Sequence, residues 1–332
     1  MTTNNLLMRY VIVCITLLLL IVLNIFCGSV SISPSEVMQV IMGNGADSPA
    51  QYIIVQNRLP QMVTAMLAGA GLGAAGLMLQ TAFHNPLAGP SVLGISSGAS
   101  LGVAIVMLII GGAAMTATGY VAVIVAALVG ALAVTALLLL MSAMLSSKLT
   151  LLIGGLMISY LVSSVITLLT YSATATGIQT YVIWGMGDFS LVSLGQLPWF
   201  AIVMIAALLM CFPLMKPLSI MQLGEAYAQS LGINIEQTRR YLLLLTGILT
   251  ATITAFCGPI AFLGLAVPHI VRLLLHTDSY QRLLPTTMLC GATMALLCNL
   301  ICTLPSSGLL PLAAVTPIIG APIILYVILH RQ

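Results

Sequence analysis

Residues 10–27 read YVIVCITLLLLIVLNIFC, with no charged side chain anywhere in the run. A helix needs about 20 mostly apolar residues to cross the hydrocarbon core of a bilayer. Nine further windows of this kind follow, at 60–80, 92–111, 117–141, 149–171, 195–214, 241–257, 258–275, 282–303 and 309–329. In hydrocarbon every backbone N–H and C=O must find a partner within the protein, and apolar windows of this length do so as helices. The sequence therefore predicts an all-α, polytopic membrane protein of about ten transmembrane helices, with 1–332 forming a single transmembrane domain. The first window has no small-residue cleavage site behind it, so it reads as an uncleaved helix. The seventh and eighth windows are short and are split by Gly258-Pro259.

Charge excludes the soluble alternatives. Only 5% of residues are charged, against about 25% in soluble domains. Nine Lys+Arg and six Asp+Glu could not cover a water-facing surface, and each of them falls at a window end or between windows. That absence disfavours a proton- or sodium-coupled pathway, which intramembrane ionisable residues normally mark. A scattered net charge of +3 gives no basis for nucleic-acid binding. The seven Cys show no CxxC or Cys/His spacing and read as small buried hydrophobes. With the N-terminus in the cytoplasm and ten spans, eight of nine basic residues fall inside and only Arg58 outside. The positive-inside rule then places both termini in the cytoplasm.

Two segments between windows are too polar for the membrane. Residues 28–59 lie outside by this orientation; residues 216–240 lie inside and carry five of the fifteen charges. Within the latter, 221–231 predicts a short helix, with Leu223, Ala226, Tyr227, Ser230 and Leu231 at helical spacing and Gly232 placed to end it. Such a helix calls for a partner, the alternative being an ordinary solvated loop. The chain has no GxxxxGK[ST] or HExxH sequence, so it offers neither a phosphate-binding loop of that kind nor a zinc-hydrolase motif. His269 and His276, seven apart, share a helix face, which suits either a shared metal or two polar span-end residues; no third ligand is evident.

Three stretches carry more specific information. RLPQMVTAMLAGAGLGAAGLMLQTAFHNPLAGPSVLGISSGASLG, 58–102, sets Gly69 and Gly73 beside Ala70 and Ala74 as small-xxx-small faces, then breaks at His84–Pro90. LGEAYAQSLGI spans 223–233, and GPIAFLGLAVPHIVRLL spans 258–274. In this order and spacing, over nearly the whole chain, they resemble the FecCD-type permeases, the membrane subunits of bacterial ABC importers for iron–siderophores, haem and cobalamin. The resemblance implies a homodimeric permease in the bacterial inner membrane, with its pathway along the dimer interface. Two cytoplasmic ATP-binding subunits would use ATP and Mg, no cofactor being bound by this chain. A periplasmic or lipoprotein binding protein would deliver substrate. The substrate class it implies first is an iron complex, with cobalamin as the alternative and a gradient-driven transporter a more distant one.

By the same resemblance, the cytoplasmic gate would involve Asn85, Leu87, Ser146 and Ser147, and Ser96 and Ser97 would line the pathway. The coupling contacts with the ATPase would be Leu223, Gly224, Glu225, Ala226, Ala228, Leu231 and Gly232, with Glu236 a further polar contact and Arg239 and Arg240 snorkelling towards lipid. Arg58 would dock the binding protein. Gln61, Asn299 and Leu310 stand where the family commonly has charged residues. The small and weakly polar faces of 63–80, 92–104 and 154–170 suit either a pathway wall or plain helix packing.

Overall fold

The computed structural model describes residues 3–43, 48–110, 117–145, 147–304 and 310–329. The helices, in chain order, are α1 (Thr3–Phe26), α2 (Pro34–Ile41), α3 (Pro49–Tyr52), α4 (Leu59–Ala82), α5 (Ile95–Ala104), α6 (Ala117–Met144), α7 (Lys148–Ser172) and α8 (Ala175–Gly185), followed by α9 (Leu197–Cys211), α10 (Met215–Met221), α11 (Glu225–Ser230), α12 (Ile235–Cys257), α13 (Leu263–Leu275), α14 (Tyr280–Thr303) and α15 (Leu312–Leu329). Among the described residues, seven helices are long and apolar enough to cross a membrane, and three shorter apolar helices cover 95–109, 263–275 and 312–327. The ten sequence windows fall on these elements. Gly258, at φ +76°, ends α12 where the seventh and eighth windows were divided.

α4 is the axis of the bundle, buried along almost its whole length. It packs against α9, α12, α13 and α14. Between helices in a membrane there is little hydrophobic drive, so close backbone approach and van der Waals contact must hold them. A Cβ added at Gly69 would collide with the carbonyl of Gly291 in α14, and one at Gly76 with that of Gly264 in α13. The small-residue faces of 63–80 are thus packing surfaces, which removes this stretch from the pathway wall. α5 and α6 meet in the same manner, Gly98 against Gly130 and Gly102 against Ala126.

Several elements were not expected. Residues 175–185 form α8, and α4 is extended backwards through π-helical turns over Ile53–Arg58, so that 49–82 is one continuous helical run. Ser33 and Glu36 form a reciprocal capping box that starts α2. The polar segment is not one helix over 221–231. Gly224 adopts φ +120°, which no helix permits, and it separates α10 from α11.

Candidate functional site

One end of the bundle gathers most of the charge. Lys148, the first residue of α7, stands 2.8 Å from Glu225, the first residue of α11. Arg239 of α12 reaches the same carboxylate oxygen at 2.9 Å. The Lys148 ammonium also donates to Nδ1 of His84 at 2.8 Å. Partial burial pushes the Glu225 pKa up, but the bonds and charges of Lys148 and Arg239 outweigh it and hold the carboxyl below its usual range. At the same end Arg9 bonds the Leu274 carbonyl and, at 3.1 Å, Nδ1 of His276, so the start of α1 and the end of α13 lie together.

From this end the chain re-enters the bundle. His84 adopts φ +47°, Asn85 accepts a bond from the Leu87 N–H at 2.9 Å, and Leu87 is exposed. The segment then climbs irregularly until Gly94, which lies against Gly155 and Ser159 of α7. Ser159 is eleven residues into α7, about 16 Å at 1.5 Å per residue. Irregular backbone at such depth persists only where protein or a cavity surrounds it. Here His269 lies 3.0 Å from the Pro86 carbonyl, and Leu265 and Gly264 pack against Gly89 and Pro90. α5 therefore begins well inside the bundle and not at its charged end. Ser96 turns towards α12, where it accepts a bond from Thr254 at 3.4 Å; Ser97 is half-buried.

Ser147 caps α7 by accepting a bond from the Thr150 N–H at 3.3 Å; Ser146 and Arg331 lie outside the described residues. α11 presents Leu223, Ala226, Tyr227 and Leu231 outward. Ala228 points the other way, into a small cluster with Met221 and Ile235, so it is not on the outward face. Gly224 meets nothing within 4 Å, so its need for glycine comes from its backbone angle; Gly232, at φ +82°, closes the segment as expected. Arg239 is not a snorkelling residue: its side chain is buried against Glu225. Arg240 is exposed and pairs with Glu236 at 3.6 Å. His269 and His276 have separate partners, and among the described residues no three His, Cys, Asp or Glu are placed to hold a metal.

The opposite end carries Arg58, which is only 6% exposed. Its guanidinium donates to the carbonyls of Ile25 at 2.7 Å, Phe26 at 2.9 Å and Val30, closing the C-terminal end of α1. One turn on, Gln61 Nε2 donates to Asn299 Oδ1 at 3.0 Å, and Asn299 Nδ2 donates to Asn24 Oδ1 at 2.7 Å. All three amides are buried. Beside them opens a cavity of about 320 Å³, lined by residues that include Gln61, Tyr120, Trp184, Asp188 and Leu310. Trp184 and Thr180 come from α8, an element the apolar windows passed over; its sequence signals were the N-cap Thr174 and Trp184, one of two tryptophans. Among the described residues no Asp or Glu is fully buried.

These features describe a multi-pass helical membrane protein with broken helices in its interior and a polar helix at one end. The profile of the FecCD transport family matches residues 16–330, and the chain belongs to that family. It is 34% identical over 322 residues to the vitamin B12 import system permease protein BtuC of Klebsiella pneumoniae, covering 96% of this chain and 93% of that protein. BtuC of Escherichia coli O9:H4 is 32% identical over 320 residues, covering 96% and 94%. A solved inward-facing ABC transporter, assigned to the metal-chelate type, superposes with a TM-score of 0.82 at 30% identity, covering 96% of this chain and 98% of the other.

Proposed function

We propose that this chain is the permease subunit of an ATP-driven importer that brings cobalamin into the cytoplasm. Its similarity to the vitamin B12 permeases along 96% of its length carries the choice of substrate. The metal-chelate transporter favours a second reading, a ferric siderophore or haem, which was the first expectation from the family resemblance. Cobalamin is itself a metal chelate, bulky and polar, and such a cargo needs a wide pathway with walls that bind it weakly.

The outward face of α7 fits that need between two copies of the chain. It exposes Tyr160, Ser163, Ser164, Thr167 and Tyr171 between Met157, Leu161 and Leu168, whereas the exposed residues of α1 are mostly Leu, Ile and Val. The hydroxyls of Ser164 and Thr167 bond the carbonyls of Tyr160 and Ser163, which leaves the wall only mildly polar. The charged end would face the cytoplasm, with Leu223, Ala226 and Leu231 of the coupling segment against each ATP-binding subunit and Asn85, Leu87 and Ser147 at the gate. A binding protein would dock on the opposite face, around 28–59. Arg58 would serve that docking from within, by holding the end of α1 beneath it.

The test is uptake of labelled cyanocobalamin, ferric siderophore and haem by a strain lacking the gene, with and without the chain restored. Restoration of cyanocobalamin uptake alone supports the proposal; restoration of an iron complex alone moves the substrate to the second reading. Orientation is read separately: a cysteine at Ser48 should label from outside and one at Ser230 only from inside.

A further inference from the structure

Glu225 has two cationic partners, and they are not equivalent. Arg239 is buried in α12, beneath the segment that carries Glu225. That contact alone neutralises the carboxylate within its own unit, where Met221, Ala228 and Ile235 already hold α10, α11 and the start of α12 together. Lys148 belongs to α7, another part of the bundle. Its contact is therefore surplus to the charge balance of Glu225. A part-exposed pair of this kind contributes little to stability.

Position gives Lys148 its interest. It follows Ser147 at the turn into α7, and its ammonium also holds His84, at the point where α4 ends and the irregular segment begins. Lys148 thus links three pieces of chain: it stands at the turn between α6 and α7, and its ammonium reaches the break after α4 and the first residue of α11. The first two bear the candidate gate residues Ser147, Asn85 and Leu87; the third bears the coupling face.

We propose that Lys148 is a positioning residue, a clasp through which displacement of α11 by the ATPase is passed to both gate turns. This rests on the importer reading above and adds the residue by which ATP use and gate movement are linked. If α11 shifts while the clasp holds, the start of α7 and the end of α4 are drawn with it. Without the clasp the unit of α10, α11 and the start of α12 moves apart from both gate turns, and hydrolysis proceeds without opening the pathway.

The experiment uses the complete complex of permease, ATPase and binding protein in proteoliposomes. The quantity read is ATP hydrolysed per molecule transported, with labelled cyanocobalamin or ferric siderophore, whichever the wild-type complex takes up. Lys148→Met should co-purify with the ATPase and hydrolyse ATP, yet need about tenfold more ATP per molecule, within the usual range of site-to-site coupling. Lys148→Arg, which keeps the charge and reach, should stay close to the wild-type ratio. A Met variant with the wild-type ratio overturns the clasp. So does one that no longer co-purifies, since Lys148 would then be an assembly residue, and so does an Arg variant as uncoupled as the Met one. A wild-type complex that takes up neither compound overturns the importer reading instead.

Discussion

Gln61 donates to Asn299 across the α4–α14 interface at 3.0 Å, and both side chains are buried. Family resemblance leads one to expect charged groups at these two positions, on a surface that meets a binding protein. Here they form a neutral pair turned inward, continued by Asn24 of α1, which also donates to the Leu296 carbonyl at 3.2 Å. The chain of amides ties the peripheral α1 to the centre of the bundle.

Restoring one charge to this pair should be costly and restoring both should not. Gln61→Arg or Asn299→Asp alone would leave a buried charge unpaired, a loss of about 3–5 kcal/mol. The double variant should recover most of the thermal unfolding midpoint. Equal midpoints for the single and double variants would show that the two positions do not interact.

Arg58 should act on stability before it acts on docking. Arg58→Ala removes the donor to the carbonyls of Ile25, Phe26 and Val30. Leaving such groups unsatisfied costs about 1–3 kcal/mol, and the unfolding midpoint should fall. Binding-protein affinity measured on the same sample separates the two roles; an affinity loss at unchanged midpoint would assign Arg58 to the docking surface itself.

The two faces of α11 should respond differently to the same substitution. Ala226 is exposed, so Ala226→Arg should fold and insert but fail to co-purify with the ATPase. Ala228 packs on Met221 and Ile235, so Ala228→Arg should loosen the segment itself. Hydrogen exchange over 221–235 reads the difference: unchanged for Ala226→Arg and faster for Ala228→Arg.

The Glu225 contacts should fail in acid. Its carboxyl lies below its usual range in the folded protein, so its contribution is present above the unfolded value, about 4.3, and is lost as pH falls through the folded value. Amide protection in α11 should hold down to the usual carboxylate range and drop below it. In Glu225→Gln that acid step should be absent.

Backbone contact at the bundle axis predicts the harshest loss. Gly76→Val would drive a side chain into the Gly264 carbonyl, beyond the 1–3 kcal/mol or so typical of overpacking. The expected outcome is little monodisperse protein after detergent extraction. Gly185→Ala, whose Cβ meets nothing within 4 Å, should purify normally.

The sequence by itself determined the class of fold, the apolar spans, the break at Gly258 and a short polar segment closed at Gly232. Those features are local: an apolar run must become a helix in hydrocarbon, and a left-handed turn favours glycine. Tertiary structure decided what each face meets. Glycines at 69 and 76 are equally good for a pathway or for packing, and only the presence of Gly291 and Gly264 opposite them made them core. Charges behave likewise. Arg58, Arg239 and Lys148 all read as span-end cations. Yet one caps a helix, one is buried against Glu225 and one joins three segments, because their partners lie 14 to 77 residues away in the chain. Lipid and protein interior are similarly apolar, so the pattern along a membrane helix says little about which of them a side chain faces.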